Sequence, residues 1–288
     1  MNNNKIKKTK SERAVFIFYF CLFSIFSLIF LYPIFWTFCN SLKSGAEFFE
    51  NSAGLPKEWR IENYARVFTD FRYKQYNYFD MLFNSLWMMF LKIAVNLMSS
   101  VILAYPISKF KFPGKELLYG LVIFANTIPL FGTGTTAYKL LSSLNMINNP
   151  FLIWLSWASG FDFAFIVFYG TFKGISDSYI DAASIDGANN ATTFFKIMLP
   201  QAIPSIVALA ITQAIPAWND YQTSMIYMRE FPNLAYGLYL FSKESNYIQD
   251  SKAIYFCAVV ISMLPPLILY GSNQKFILSN ISAGGLKG

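Results

Sequence analysis

Residues 181–200 read DAASIDGANNATTFFKIMLP, and this stretch decides how the rest of the chain is interpreted. It is rich in small residues, carries two aspartates and lies between two long apolar segments. The run from Ser178 to Asp181 has the pattern of a helix N-terminus, in which the serine caps backbone N–H groups and the aspartate favours the helix dipole. Gly187 is a typical C-terminal residue. The stretch therefore predicts a short helix that ends at Gly187.

A second helix is expected immediately after the first. Asn189 or Asn190 can cap it, and apolar residues follow through Met198. Pro200 and Pro204 are expected to end this helix and to lead into the next apolar segment.

The first helix is expected to present a flat face to a partner. Ile180, Ala183 and Gly187 share one side at helical spacing. Small side chains on that side would let the backbone of another protein approach closely. A plain amphipathic connector is the alternative.

The composition indicates a membrane protein without catalytic machinery of its own. The chain has 288 residues, of which 55% are hydrophobic and only 14% charged, so a lipid bilayer is the expected solvent. It has no histidine, the commonest general base and metal ligand. Cys21, Cys39 and Cys257 lie in apolar runs at unrelated spacings, which predicts buried free thiols and neither a disulfide nor a zinc framework. No phosphate-binding loop occurs, so we expect no catalytic residue, metal or cofactor in this chain.

Six apolar segments predict an all-α membrane protein, because at these lengths only helices satisfy their own backbone in lipid. The expected spans cover about residues 14–39, 82–108, 117–131, 151–172, 203–227 and 254–276. The first follows the basic stretch KIKKTKSER and is uncharged through Cys39. This length favours an uncleaved span over a secretory signal, which is the alternative.

Charge placement orients these spans. Six spans put both termini on one side, and the basic stretches KIKKTK (5–10) and KFKFPGK (109–115) place that side in the cytoplasm. The expected organisation is a cytoplasmic tail over residues 1–13, one membrane domain over 14–276 with an external segment at 40–80 and a cytoplasmic loop at 173–202, and a cytoplasmic tail over 277–288. The external segment is expected to form one or two amphipathic helices, either as an interfacial loop or as a docking surface.

Three charged residues, Lys92, Asp162 and Asp220, fall within or near the expected spans. A charge in the membrane costs several kcal/mol unless it is paired or hydrated, so it commonly faces a cavity. Pro216 precedes Trp218-Asn219-Asp220, which predicts a broken helix beside such a cavity. The alternative is that the Asp220 side chain extends to the lipid headgroups. We expect the side chain of Asp162 to extend toward the lipid headgroups. The candidates for a substrate path are therefore Lys92, Trp218, Asn219 and Asp220.

The opening stretch resembles the Glu-Ala-Ala motif of binding-protein-dependent ABC transporter permeases, with Asp181 in place of the glutamate. The matching residues are Ala182, Ala183, Gly187, Ile197, Leu199 and Pro200. AASIDGA and IMLPQAIPS are similar to the carbohydrate-uptake branch that includes the maltose transporter, as are YPIFWTFCNSLK, ENYARVF, FNSL, AYPISKFKFPGK, WNDY and ISAGGLKG in the same order. Ser176 stands where the family often has proline, and Gly284-Gly285-Leu286 departs from the usual tail.

This resemblance implies the type I importer permease fold, with six transmembrane helices and both termini cytoplasmic, in a bacterial cytoplasmic membrane. It implies uptake of a sugar or oligosaccharide by alternating access. The implied partners are a second homologous permease, a dimer of ATPase subunits that binds ATP and Mg, and an external solute-binding protein that meets segments 40–80 and 132–149. No nucleic-acid partner is implied.

The resemblance also assigns contacts with the ATPase. The coupling residues would be Asp181, Ala182, Ala183, Asp186, Gly187, Ile197, Leu199 and Pro200. The tail residues that reach the ATPase would be Ser282, Ala283, Gly284, Gly285, Leu286, Lys287 and Gly288. Other functions left open are an importer for a glycerol phosphate ester or polyol, an intramembrane aspartyl enzyme using Asp162 and Asp220, and a channel.

Overall fold

The computed structural model describes residues 10–128, 132, 134–244 and 250–285. These residues are almost entirely helical, and they form two compact units. The first unit comprises the chain up to Phe71 together with Phe241–Ser262, and the second comprises Arg72–Leu240 together with the residues from Met263 onward.

The elements follow one another as helices with a single small hairpin. The first helices are α1 (Lys10–Ser41), α2 (Gly45–Glu50) and α3 (Glu62–Asp70). The antiparallel strands β1 (Arg72–Tyr73) and β2 (Tyr76–Asn77) pair Arg72 with Asn77 and Tyr73 with Tyr76. The later helices are α4 (Tyr78–Lys109), α5 (Lys115–Thr127), α6 (Gly134–Ser143), α7 (Phe163–Gly174), α8 (Ser178–Ile185), α9 (Asn190–Thr193), α10 (Leu199–Trp218), α11 (Tyr221–Ile226), α12 (Leu234–Glu244) and α13 (Ser251–Gly285).

The segment at 40–80 contains two helices, α2 and α3, as its sequence predicts. The hydroxyl of Ser44 accepts a hydrogen bond from the backbone N–H of Glu47 and so caps α2. Helix α3 buries Asn63 and Val67 on one side, and the side-chain amide of Asn63 donates to the carbonyl oxygens of Ser41 and Lys43. The segment is therefore tied to the end of α1 by hydrogen bonds as well as by apolar packing.

Asp250 also orders this unit. Its carboxylate accepts hydrogen bonds from the backbone N–H of Gly45 at 2.6 Å and from Arg66 Nη1 at 3.0 Å. Burial raises the pKa of this carboxyl, but the hydrogen bonds from Gly45 and Arg66 outweigh it, so the pKa lies below the ordinary value.

The core of the second unit lies between α4, α5, α7 and α10. Phe165, Phe168 and Phe172 stand on one side of α7 and are fully buried. They pack in one cluster with Val101 and Ala104 of α4, whose small volumes let the two helices approach closely. The dense contact between α4 and α7 fixes the frame in which the polar residues described below are held.

Four helices in the described part of the chain are long and apolar enough to cross a membrane. They cover Ser11–Ser41, Tyr78–Lys109, Asn190–Trp218 and Ser251–Gln274. The expected third and fourth spans contain shorter helices, α5 with 13 residues and α7 with 12. A 12-residue helix rises about 18 Å, whereas the hydrocarbon core is about 30 Å thick.

The expectation of one continuous helix over 151–172 is wrong. A 3₁₀ helix at Ile153–Trp157 is followed by a break, and α7 starts only after Asp162. Gly160 lies in the break with φ +66°, a conformation that glycine adopts readily. The carboxylate of Asp162 accepts hydrogen bonds from the N–H groups of Ala164 and Phe165 and so begins α7 anew.

The prolines before the fifth segment do not end a helix, contrary to expectation. The chain is helical without interruption from Asn190 to Trp218, and Phe194–Met198 within it is a π-helix. Pro200 lies in the first turn of α10, where no N–H is needed, and the wider π turn precedes it.

Helix α13 continues through Gly285, beyond the expected end of the last span at residue 276, and residues 286–288 lie outside the described part of the chain. The expectation of three buried thiols is correct for Cys39 and Cys257 but wrong for Cys21. Cys21 is exposed because none of the apolar stretch of α1 is covered by other described residues.

Candidate functional site

In the second unit, a cavity of about 880 Å³ is lined by residues of α4, α10 and α11 and by the segment between Ser156 and Asp162 that precedes α7. This volume lies within the range of small-molecule sites, about 300–1,000 Å³. Its lining combines charged, amide, hydroxyl and aromatic side chains, among them Lys92, Asn96, Trp157, Asp162, Gln213, Asn219, Asp220, Tyr221, Gln222 and Tyr227.

Three polar residues of α4, spaced by four, organise the cavity. We call Lys92, Asn96 and Ser100 the polar stripe, because this spacing places them on one side of the helix. The Nζ of Lys92 lies 2.6 Å from Oδ2 of Asp220. Asp220 also accepts from the N–H and the hydroxyl of Thr223, and it thereby caps α11.

Asp162 contacts the other two residues of the polar stripe, Asn96 and Ser100. Its Oδ2 accepts a hydrogen bond from Asn96 Nδ2 at 2.6 Å, and its Oδ1 accepts one from the Ser100 hydroxyl at 2.9 Å. Ser159 donates to the same carboxylate, and Gln213 Nε2 donates to Asn96 Oδ1. The expectation that Asp162 reaches toward headgroups is therefore wrong, because hydrogen bonds hold it against α4.

Three of the four substrate-path candidates, Lys92, Asn219 and Asp220, line this cavity. Trp218 does not: it is buried and faces a small apolar pocket beside Pro265 and Pro266. The expected helix break is present, since α10 ends at Trp218 and α11 starts after Asp220.

Sequence reasoning missed Asn96, Ser100 and Gln213. The four-residue spacing from Lys92 was the available signal for the first two. Gln213 carries no such signal, because only the packing of α10 against α4 brings it to Asn96.

We call residues 181–200 the coupling segment, after the motif that they resemble. Gly187 has φ +77° and ends α8, as expected. The N–H of Gly187 donates to the carbonyl of Ser184, and that of Ala188 donates to Ala183. These two bonds satisfy the last carbonyl groups of the helix in a Schellman motif.

The caps of the coupling segment match the sequence in part. Asn189 caps α9, because its side-chain oxygen accepts from the N–H of Thr192 at 2.8 Å. Ser178 does not cap α8, contrary to expectation, because it is already the first helical residue. The hydroxyl of Ser176 instead accepts a hydrogen bond from the N–H of Ser178, so the residue that replaces the family's proline supports the helix start.

Two of the three residues expected on the contact face of α8, Ile180 and Ala183, are turned inward, whereas Gly187 is exposed. Ala183 is only 3% exposed, and Ile180 packs against the core of the second unit. The side of α8 that remains exposed carries Tyr179, Ala182 and Ile185, and Ile185 is 86% exposed. The small residue at 183 thus serves packing within the chain, and the free surface lies on another side of the helix.

The remaining coupling residues divide between core and surface. Ile197 and Leu199 pack against the same core. Asp181, Asp186, Gly187 and Pro200 are exposed.

Lys109 ties the start of α8 to the end of α4. Its side chain is only 4% exposed, and its Nζ donates to the carbonyl of Ile175 and to the carboxylate of Asp177, each at 2.5 Å. The hydrogen bond from Lys109, followed by the charge of the same lysine, lowers the pKa of Asp177. One helix therefore carries both the polar stripe and a direct hold on the residues that lead into α8 and the coupling segment.

The positions of the acidic residues bear on the alternative of an aspartyl enzyme. The described part of the chain contains no group of three or more acidic or cysteine side chains that could hold a metal ion. Asp162 and Asp220 line the same cavity, but each has its own set of donors. An aspartyl dyad would need the two carboxyl groups to share a proton, and this arrangement does not provide for that.

Helices long enough to cross a bilayer, together with a polar cavity set among them, define a multi-pass membrane protein. The chain belongs to the family of binding-protein-dependent transport system inner membrane components, whose model matches residues 96–277. This finding confirms the resemblance that the coupling segment and the ordered motifs indicate.

Relatives align over nearly the whole chain. The diacetylchitobiose uptake system permease protein NgcG of Streptomyces coelicolor is 28% identical over 95% of this chain and 90% of its own. The arabinooligosaccharides transport system permease protein AraQ of Bacillus subtilis is 26% identical over 92% and 94%. A solved bacterial ABC transporter involved in the import of the acidic polysaccharide alginate contains a chain that is 25% identical, with a TM-score of 0.79, over 94% of this chain and 99% of that one.

Proposed function

We propose that this chain is a permease subunit of an ATP-driven importer that takes up a sugar or oligosaccharide. The observation that carries the proposal is the polar cavity lined by α4, α10, α11 and the segment before α7, in a chain of this family. Relatives named for diacetylchitobiose and arabinooligosaccharide transport support a carbohydrate. The lining supports it as well, because amide groups can pair with sugar hydroxyls and aromatic rings can pack against sugar faces.

In this proposal the work of ATP enters at the coupling segment. Two ATPase subunits bind ATP and Mg, and their closure displaces α8 through the exposed face of Tyr179, Ala182 and Ile185. The hold of Lys109 on Ile175 and Asp177 transmits that displacement to α4. Because Lys92 lies on the same helix, the cavity can alternate between inward and outward access.

The remaining surfaces have proposed partners. A second, homologous permease completes the membrane path, and the uncovered apolar face of α1 is available to it or to lipid. An external binding protein delivers the substrate to segments 40–80 and 132–149. The tail at 282–288 reaches the ATPase, and the complex lies in the bacterial cytoplasmic membrane with both termini inside.

Reconstitution tests the proposal. The chain is co-expressed with its partner permease and ATPase subunits, placed in proteoliposomes and supplied with the external binding protein. We expect ATP-dependent accumulation of a glycan that the binding protein holds. ATP-driven uptake of a non-carbohydrate solute by the same complex, with no glycan accumulated, would overturn the proposal.

A matched pair of variants tests the coupling surface. Ile185→Arg changes the exposed face of α8, and we expect it to lower co-purification of the ATPase at least tenfold. Gly187→Trp should act in the same direction, because its Cβ would meet no neighbour within 4 Å and its ring would fill the approach to the helix, in addition to straining the turn at φ +77°. Lys173→Arg on the neighbouring helix is the control. Normal co-purification and normal substrate-stimulated ATP hydrolysis in both variants would refute this assignment.

A further inference from the structure

The charges of the cavity define which sugars can enter it. Among the described residues that line it, Lys92 is the one lysine or arginine, whereas Asp162 and Asp220 are two carboxylates. Lys92 lies 2.6 Å from Asp220 and is only partly exposed. The cation is therefore already paired within the chain, and the lining of this subunit carries a net charge of −1.

The second carboxylate of the lining, Asp162, is held in place by its neighbours. It receives hydrogen bonds from Asn96, Ser100 and Ser159 and from the first N–H groups of α7. All of these donors are neutral groups. Asp162 therefore lines the cavity with no cationic partner among the described residues.

The neutral groups of the lining suit an uncharged ligand. Asn219 and Gln222 are exposed amides, and Tyr221 and Tyr227 add partly exposed aromatic surface. A uronic acid or a phosphate ester would bring a carboxylate or phosphate beside Asp162 without a free cation to meet it. Like charges juxtaposed in a binding site oppose binding strongly, and more so where water is excluded.

We infer that this subunit selects uncharged sugars and rejects anionic ones, with Asp162 and the Lys92–Asp220 pair as the specificity-determining residues. The inference rests on the proposed function and narrows it to neutral oligosaccharides. It also disfavours a glycerol phosphate ester as the substrate.

A matched pair of ligands tests the inference on the complete complex. Trigalacturonate and its fully methyl-esterified form have the same sugar backbone and differ in charge. Binding of each to the permease–ATPase complex in nanodiscs, without the binding protein, is measured by saturation-transfer NMR, which detects weak affinities. Empty nanodiscs provide the background, and maltotriose provides a second neutral probe.

We expect the neutral ester and maltotriose to bind at least about tenfold more tightly than the acid. Asp220→Asn frees Lys92 from its partner and should raise the affinity for the acid, relative to that for the ester, about tenfold. Adding Lys92→Met to Asp220→Asn should remove that gain. Asp162→Asn should also favour the acid, and the thermal midpoint of each variant verifies that it is folded.

Equal or tighter binding of the acid by the unaltered complex would overturn the inference and leave a sugar importer standing. The same holds if Asp220→Asn and Asp162→Asn leave the ratio of the two affinities unchanged in folded complexes. If neither neutral probe gives a signal and the acid does, the charge argument is wrong. If no glycan binds and reconstitution shows uptake of another solute, the inference and the proposed function fail together.

Discussion

The polar stripe and the coupling segment are built in opposite ways. The polar stripe is held by side chains that meet across different helices, such as Lys92 with Asp220, which lie 128 residues apart in the chain. The coupling segment is held by local bonds, including the cap from Asn189 to Thr192, three residues away. The stripe thus depends on how helices pack, whereas the coupling segment keeps its shape through its own backbone.

This difference fits the different roles proposed for the two regions. A segment whose turns are held by its own hydrogen bonds can be displaced with little change in its local backbone shape. A cavity joined by ion pairs and amide bonds between helices changes when those helices move. Lys109 links the two regions, since it lies on the helix of the stripe and holds Ile175 and Asp177.

The largest effect is expected from breaking the stripe at Lys92. Lys92→Met leaves the Asp220 carboxylate without its cation, and removal of one partner from a fully buried pair costs about 3–5 kcal/mol. Since the two side chains are 36% and 18% exposed, we expect about 1–3 kcal/mol here and a loss of uptake of at least tenfold. Thermal unfolding of the complex and ATP-driven uptake measure the two effects.

Two further variants show whether the effect of Lys92→Met arises from loss of the ion pair or from loss of a lysine in general. Lys139→Met removes an exposed lysine on α6 and should change neither quantity. Lys92→Met combined with Asp220→Leu removes both charges and should recover the stability, because a well-packed apolar pair can replace a buried ion pair. A single Lys92→Met variant with unchanged unfolding and unchanged uptake would show that the pair is dispensable.

The next effect concerns the turn of the coupling segment. Gly187→Ala places a side chain at φ +77°, where an L-residue costs roughly 1–2 kcal/mol, although nothing lies within 4 Å of the added carbon. We expect faster hydrogen exchange over residues 178–190 and uptake reduced severalfold. Gly174→Ala is the control, because the site is equally open and φ is not positive. If both variants exchange alike, the left-handed turn does not hold the segment together.

A smaller effect is expected from the cap of α9. Asn189→Ala removes the hydrogen bond to Thr192 and should cost about 1 kcal/mol of local stability. Asn190→Ala changes the adjacent asparagine, which is the first helical residue and does not cap. Hydrogen exchange over residues 190–198 should rise in the first variant only, and a rise in both would contradict the assigned cap.

The smallest effect is expected from Asp177, the exposed partner of Lys109. Asp177 has a lowered pKa, so its contact with Lys109 contributes fully above the ordinary carboxyl value of about 3.9. That contribution is lost as pH falls through the lower folded value. Asp177→Asn should therefore lower the thermal midpoint slightly at pH 7, and the difference from the unaltered complex should shrink progressively as the pH falls below about 3.9. A constant difference across this range would indicate that the charge of Asp177 does not matter.

The sequence predicts the coupling segment better than the cavity, and the reason is physical. Gly187 and Asn189 act through bonds to residues within a few positions, so their roles follow from local pattern. The inward turn of Ala183 and the partners of Asp162 depend on packing between helices, which spacing alone does not determine. Asp162 and Asn96 lie 66 residues apart and meet only because α4 and α7 pack closely.

The bounds of the helices are likewise only partly predictable from the sequence. Apolar character predicts the positions of the long helices, since α1, α4, α10 and α13 each overlap an expected span, although α10 ends at Trp218, before the expected end at 227. It does not reveal the break before α7, because Gly160 and Asp162 interrupt a stretch that remains apolar on average. Pro200 and Pro204 predict the end of a helix, but the helix continues through them, because the π-helix before Pro200 accommodates the proline.

The most direct test of the account is the accessibility of Asn219, which is exposed within the cavity. Asn219→Cys is introduced with Cys21→Ala, since Cys39 and Cys257 are buried. The complex in proteoliposomes is treated with a membrane-impermeant maleimide from either side. We predict labelling from the cytoplasmic side without ATP, labelling from the external side in an ATP-trapped state, and protection by the transported glycan. Labelling that is unaffected by ATP and by the glycan would contradict a cavity that carries sugar by alternating access.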